Sequence, residues 1–382
     1  MTGTLSSGLG AFGAFGLFWG VFAVLLADLS RSLGLSPGPL GFALFVGALA
    51  SMLAMALLGW TADLLGRRTF IAASAAVFGG GVAGLALAEG YAMFLAALVV
   101  LYAGSGLYDV GINAVAVDLE LALRRRLMSL LHAAFSGGGV VGAVSAGVML
   151  SAGTDYRLLY LLTLLPLGAA VAALCLGRLP DPPERRGPED GGAGRRPLYR
   201  NGPLLLVAAV ATLGLLSEGE MEHWSGIYLR QTLGFPALLG GSGVAVFYGA
   251  MALGRLGGAA FVARYGNRRV LLCAGPLTAL GMLLSLAGTW PPLVVGGFLL
   301  VGLALSLVVP VAFSLAGELS PGRAGAGISV VTTLGYGGFL VGPVIVGGMA
   351  ELVGLRLALG AIAASGVAIF FLALLLGRFV KA

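Results

Sequence analysis

The sequence predicts an all-α integral membrane protein of twelve transmembrane helices, built as two six-helix repeats with both termini cytoplasmic. Three observations lead there. Hydrophobic residues make up 59% of the 382-residue chain and charged residues only 10%, with a mean hydropathy of +1.02. A soluble domain carries about 25% charged residues and needs them for its solvated shell. Twelve apolar runs are each long enough to cross a hydrocarbon core of about 30 Å, which takes roughly 20 helical residues. The arginines fall almost entirely in alternate loops. This composition excludes an ordinary cytosolic enzyme, a disordered chain and a disulfide scaffold.

The runs, divided at charges and at Gly/Pro breaks, cover 8–29, 39–62, 69–88, 91–114, 128–151, 157–177, 203–224, 238–262, 270–288, 292–316, 324–350 and 356–377; they are numbered spans 1 to 12. The first 27 residues carry no charged side chain. A cleavable signal peptide starts with a basic segment, so span 1 is expected to be retained. Residues 270–317 are uncharged and too long for one crossing, and the turn Gly288-Thr289-Trp290-Pro291-Pro292 divides them. The shorter alternating segments of a transmembrane barrel are not visible.

Orientation follows from the basic residues. One set of loops receives 17 of the 22, and the other receives Arg31, Arg157, Arg230 and Arg356; Arg255 lies inside span 8. The rich face is expected to be cytoplasmic. The net charge of +6 is thereby a topology signal and implies no nucleic-acid partner. Residues 178–202, with five prolines, several glycines and most of the local charge, read as a flexible cytoplasmic linker. It separates an N-terminal half, 1–177, from a C-terminal half, 203–382. The halves share a register at an offset of 200 residues. Gly66 and Arg68 match Gly266 and Arg268, and Ser129, Gly138, Gly142 and Gly147 match Ser329, Gly338, Gly342 and Gly347.

The loop Gly59-x-x-x-Asp63-x-x-Gly66-Arg67-Arg68 between spans 2 and 3 resembles the signature loop of the major facilitator superfamily. The second copy has Ala263 in place of the acid, and Leu64 stands where the family usually has a basic residue. Three stretches are similar to the fucose-permease-like branch: Gly104 to Ala114 in span 4, Leu127 to Gly138 in span 5 and Glu218 to Arg230 in span 7. The resemblance implies a transporter of the cell (inner or plasma) membrane that imports a sugar with protons. It places Asp109 on the span-4 acid of the fucose symporters, and it gives Gly59, Asp63, Gly66, Arg67 and Arg68 the part of a cytoplasmic gate between the halves. Asp28 stands only near the acid that those symporters carry in span 1. Drug–proton antiporters of the superfamily have a proline motif in span 5, where this chain has Ala143 after Gly138-x-x-x-Gly142.

The few ionisable residues inside spans point to the chemistry, because each costs about 2.5–3.5 kcal/mol to insert. Tyr102, Ser105, Asp109 and Asn113 fall on one face of span 4. On that face Asp109 either exchanges protons along a water-filled path or makes a structural hydrogen bond between helices. Glu218, Glu222 and Ser225 share a face late in span 7, and Glu220 groups with His223 and Trp224. Gly219 and Gly226 permit a broken helix there; the other reading is that span 7 ends early and leaves the acids in an outer vestibule. Glu218 and then Glu222 are the proton candidates beside Asp109. Asn113, His132, Trp224, Tyr108, Trp19 and Tyr248 are the candidates for substrate contact, although His132 and the aromatics also suit packing, and Trp60 and Trp290 suit interface anchors. Arg255 requires an acidic or carbonyl partner that the sequence does not identify.

No metal site is expected from two separated histidines, Cys175 and Cys273 read as small apolar residues, and no cofactor is implied beyond a proton as the coupling ion. The chain lacks a Walker loop and holds a single lysine, Lys381, so it is not expected to be an ATPase or any other enzyme. The expectation is a monomeric secondary transporter in a lipid bilayer that moves a small polar solute, a monosaccharide above all, by proton-coupled alternating access. A proton-driven exporter of amphipathic compounds is the alternative, and a non-transporting membrane sensor a remote one.

Overall fold

The computed structural model describes residues 2–125, 127–177, 200–320 and 323–379, so most of the expected linker lies outside the described residues. All regular structure among the described residues is helical. Twelve helices are long and apolar enough to cross a membrane: Leu5–Ser32, Pro37–Leu58, Arg67–Leu87, Tyr91–Leu123, Leu130–Ser151, Tyr156–Leu176, Gly202–Thr232, Ala237–Gly258, Asn267–Ala287, Pro291–Glu318, Ala326–Val353 and Leu355–Leu376. They follow the expected spans in order.

Three details differ from expectation. Span 4 runs on to Leu123, and Asp109 lies near its middle. The helix of span 7 is unbroken from Gly202 to Ile227, and a π turn, Tyr228–Thr232, extends it. Gly219 and Gly226 therefore do not break it; they admit Phe339 and the Ala23 carbonyl at close range instead. The span-7 acids accordingly sit inside the helix and not beyond its end. Spans 6 and 10 do break, at Thr163 and at Ser306-Leu307. Each break lies close before a proline, Pro166 or Pro310, which removes one helical hydrogen bond and crowds the carbonyl four residues back.

Consecutive spans run in opposite directions, which creates two faces. At the basic face, Arg68 donates to the Gly177 carbonyl at 2.7 Å and Asn267 to Glu318 at 2.8 Å. At the far face, Ser32 meets Tyr156 at 2.7 Å and Arg356 donates to the Leu286 carbonyl at 2.8 Å.

The offset of 200 residues recurs in the backbone. Gly34 and Gly234 have φ of +62° and +69°, and Gly66 and Gly266 of +76° and +80°. Gly147 of span 5 lies against Ala237 and Gly241 of span 8, while Gly347 of span 11 lies against Pro37 and Gly41 of span 2. These two contacts use equivalent residues and join the first six spans to the last six. In place of the hydrophobic effect, which is weak between helices in lipid, such glycine contacts give close van der Waals packing.

Candidate functional site

Polar side chains of spans 4, 5, 7, 8 and 11 converge at mid-depth. Arg255 of span 8 donates from Nη2 to Glu218 Oε1 at 2.8 Å and from Nη1 to Ser136 Oγ of span 5 at 3.4 Å. The partner that the sequence left unidentified is thus Glu218, with Ser136 on the other side. Tyr248 of span 8 donates to Glu222 at 3.2 Å. Asn113 donates from Nδ2 to both the carbonyl and Oδ1 of Asp109, each at 2.9 Å. Tyr336 of span 11 lies within electrostatic range of Asp109, Glu218 and Arg255, and His132 within range of Arg255. Asp109, Asn113, Glu218, Glu222, Arg255 and His132 all retain partial exposure.

Tyr102 and His223 close the cluster toward the far face, with the phenol oxygen 2.8 Å from Nε2. Trp19 is half-buried and sets its ring edge-on to Tyr102 at 5.3 Å. Phe339 packs edge-on against His223. His132 also stacks edge-on against Phe12.

Several expected residues lie elsewhere. Tyr108 is fully buried among Phe15 and Phe78 in the packing of spans 1, 3 and 4. Trp224 is likewise fully buried. Neither ring faces open space in this structure, because each fills helix packing. Glu220 points away from Glu218 toward span 11, where its carboxylate occupies the room that Gly342 leaves. It does not pair with His223 or Trp224; both of its oxygens lack a hydrogen-bond partner among the described residues. Trp60 and Trp290 are exposed near span ends, as interface anchors are.

In the expected gate, Gly66 caps the start of span 3 at positive φ, and Gly59 continues helically after span 2. Arg67 donates to Asp118 of span 4 at 2.9 Å and Arg68 to the end of span 6. These bonds run within the first six spans rather than across to the last six. Asp63 falls in a short helix, Thr61–Leu64, and its side chain lies outside the described residues. Sequence reasoning passed over Asp118 because it lies beyond the predicted end of span 4. The 200-residue register could have found it: Arg67–Asp118 corresponds in position to Asn267–Glu318.

The far face carries further polar contacts between the two sets of spans. Asp28 of span 1 is ion-paired with Arg230 of span 7. Gln231 donates to the Ala27 carbonyl at 2.7 Å and to Ser30 at 2.9 Å, and the Gly38 amide donates to Glu351 at 2.9 Å. The half-departure of Asp28 from the sugar-symporter pattern has a local explanation: the carboxylate serves a contact between spans. Both cysteines are free thiols, and no cluster of three or more metal-ligating side chains occurs among the described residues.

Comparison with known proteins places the chain. The family model described as Major Facilitator Superfamily matches residues 8–261 and 225–380. An uncharacterized MFS-type transporter of Yersinia pestis is 33% identical over 92% of this chain and 90% of its own length. Among solved structures, a nucleoside transporter superposes with a TM-score of 0.81 at 14% identity, covering 98% of this chain and 99% of its own. A D-xylose–proton symporter superposes at 0.78 with 15% identity, covering 99% and 97%. The chain belongs to the major facilitator superfamily: it is a membrane transporter and not an enzyme.

Proposed function

We propose that this member of the superfamily is a proton-coupled symporter of a small polar solute, a monosaccharide above all, as in the fucose-permease-like branch. The observation that carries this reading is the Arg255–Glu218 pair at mid-depth, set among Ser136, Tyr336 and Asp109, with hydroxyl and amide groups around it. Protonation of Glu218 would release Arg255 for a solute hydroxyl, and the solute would in turn hold Glu218 away from Arg255. That exchange links proton and solute occupancy. Polar lining of this kind suits a hydroxyl-rich solute better than the amphipathic cargo of a drug exporter.

The six-span units 1–177 and 203–382, joined by 178–202, rock about this site, and a monomer suffices. The basic face is the cytoplasmic side of the cell membrane. Contacts at the far face close the outer side, so we read the conformation as open toward the cytoplasm. The test is uptake of radiolabelled monosaccharides into proteoliposomes under an inward proton gradient. Accumulation that collapses with a protonophore supports the reading, whereas gradient-driven efflux of amphipathic dyes without sugar uptake overturns it.

A further inference from the structure

The outer surface of the last six spans carries a groove between spans 8, 9 and 10. Spans 8, 9 and 10 enclose a volume of about 310 Å³ whose lining is almost wholly apolar, with Gly254, Gly257, Gly258, Phe261, Cys273 and Leu307 among its walls. At Gly257 the wall of the groove is bare backbone facing open space. A Cβ at Gly257 would meet nothing within 4 Å. At the equivalent positions, 200 residues earlier, the chain has Leu57 and Leu58 in place of Gly257 and Gly258.

The basic end of the groove is cationic. Arg264 follows Phe261 and Gly257 on one face of the span-8 helix, and Arg269 precedes Cys273 and Leu277 on one face of span 9. Both arginines are exposed. Arg264 lies over the Tyr265 ring, 5.5 Å from its centroid, and neither arginine is ion-paired with an acid among the described residues. The equivalent residues of the first copy are Leu64 and Thr69. The second copy thus has glycine at 257 and 258 and arginine at 264 and 269, where the first has leucine at 57, 58 and 64 and threonine at 69.

We infer that this groove is a binding site for an anionic phospholipid, with an acyl chain between spans 8 and 10 and the phosphate on Arg264 and Arg269. The chemistry is complementary at both ends. An alkyl chain fills an apolar cleft that faces the hydrocarbon, and basic side chains at the membrane surface attract anionic headgroups. The site lies behind the turn of span 8 that bears Arg255, so its occupant rests against the helix that holds the central ion pair.

The test is native mass spectrometry of the purified full chain incubated with phosphatidylglycerol or phosphatidylcholine of matched chains. The wild type should retain phosphatidylglycerol about tenfold better, the ratio expected for about 1.4 kcal/mol. Arg264→Leu with Arg269→Thr, the residues of the first copy, should remove that preference while altering only exposed positions. Gly257→Leu should lower retention of both lipids. The Cys273 thiol supplies a second readout, since its alkylation in nanodiscs should slow when phosphatidylglycerol replaces phosphatidylcholine, with Cys175→Ala as background. Equal retention of the two lipids, an unchanged preference in the arginine variant, or equal retention of glycerol phosphate without chains would each overturn the assignment.

Discussion

Arg255 and Glu218 form an ion pair at the centre of the bundle, 2.8 Å apart and with side-chain exposures of 27% and 15%. Both belong to the last six spans, yet Arg255 reaches across to Ser136 of span 5. One guanidinium thus senses an acid on one side and the opposing set of helices on the other. A charge change at Glu218 is felt directly at a contact between the two sets.

Removing one partner of a fully buried pair costs about 3–5 kcal/mol, and the partial exposure of this pair places its cost lower. Glu218→Gln should uncouple transport before it unfolds the protein. Proton-driven accumulation should be lost while solute exchange at equal pH persists. Arg255→Gln should impair both, because the group offered to the solute is gone. Parallel uptake and counterflow measurements in proteoliposomes distinguish the two, and full accumulation by Glu218→Gln would remove this residue from the coupling path.

The latch between Asp28 and Arg230 at the far face holds the ends of spans 1 and 7 together, assisted by Gln231. Asp28→Asn should favour opening of that face, and each 1.4 kcal/mol of lost latch energy corresponds to about tenfold in the ratio of states. Spin labels at Leu33 and Leu233 should show a longer distance in a larger fraction of molecules. An unchanged distance distribution would mean that packing alone keeps the face closed.

Gly66 and Gly266 hold φ, ψ of 76°, 153° and 80°, 155° at the starts of spans 3 and 9. That region is essentially restricted to glycine and costs other residues about 1–3 kcal/mol. Gly66→Ala and Gly266→Ala should each lower the melting temperature in detergent, and by similar amounts, because the two turns share one geometry. A loss confined to Gly66→Ala would show that the second turn relaxes freely.

Much of this was legible in the sequence, for physical reasons that differ by residue. Apolar run length located the spans because the bilayer sets it, and the register of Gly138 and Gly338 was visible because helix contacts in lipid demand small residues. Asp109 and Glu218 stood out because an ionisable group in hydrocarbon needs a reason to be there. What stayed hidden depended on rotation of side chains about a helix. Glu218 and Glu220 are two residues apart and equally acidic, yet one meets Arg255 and the other packs against span 11. Trp224 and Tyr108 carry the chemistry of sugar-stacking residues, and only the packing shows that they are enclosed. The 200-residue register could have brought out Asp118, had it been applied to acids as well as to glycines.

Glu220 gives a contrasting prediction. It is fully buried, has no hydrogen-bond partner among the described residues, and fits only because position 342 is glycine. A buried polar group without partners costs about 1–3 kcal/mol. Glu220→Leu should leave proton-driven uptake intact and keep or raise the melting temperature. Loss of accumulation in this variant would transfer the coupling role from Glu218 to Glu220.

Asp109 differs from Glu218 in its surroundings. Its carboxylate accepts from Asn113 one helical turn away, and no cation is bonded to it among the described residues. Tyr336 is near enough to interact through space with Asp109 and, separately, with Glu218 and Arg255. A structural hydrogen bond between helices would need a partner on another span, whereas the bonds seen for Asp109 stay within span 4. The arrangement suits a group that takes up a proton without dismantling a contact. Asp109→Asn keeps the size and the bond to Asn113 but cannot titrate, so it should preserve the melting temperature and solute exchange while abolishing the pH dependence of uptake. Asn113→Ala keeps the acid and removes its donor, so it should shift that pH profile without flattening it. A profile unchanged in both variants would leave Asp109 as a lining residue and place proton coupling on span 7 alone.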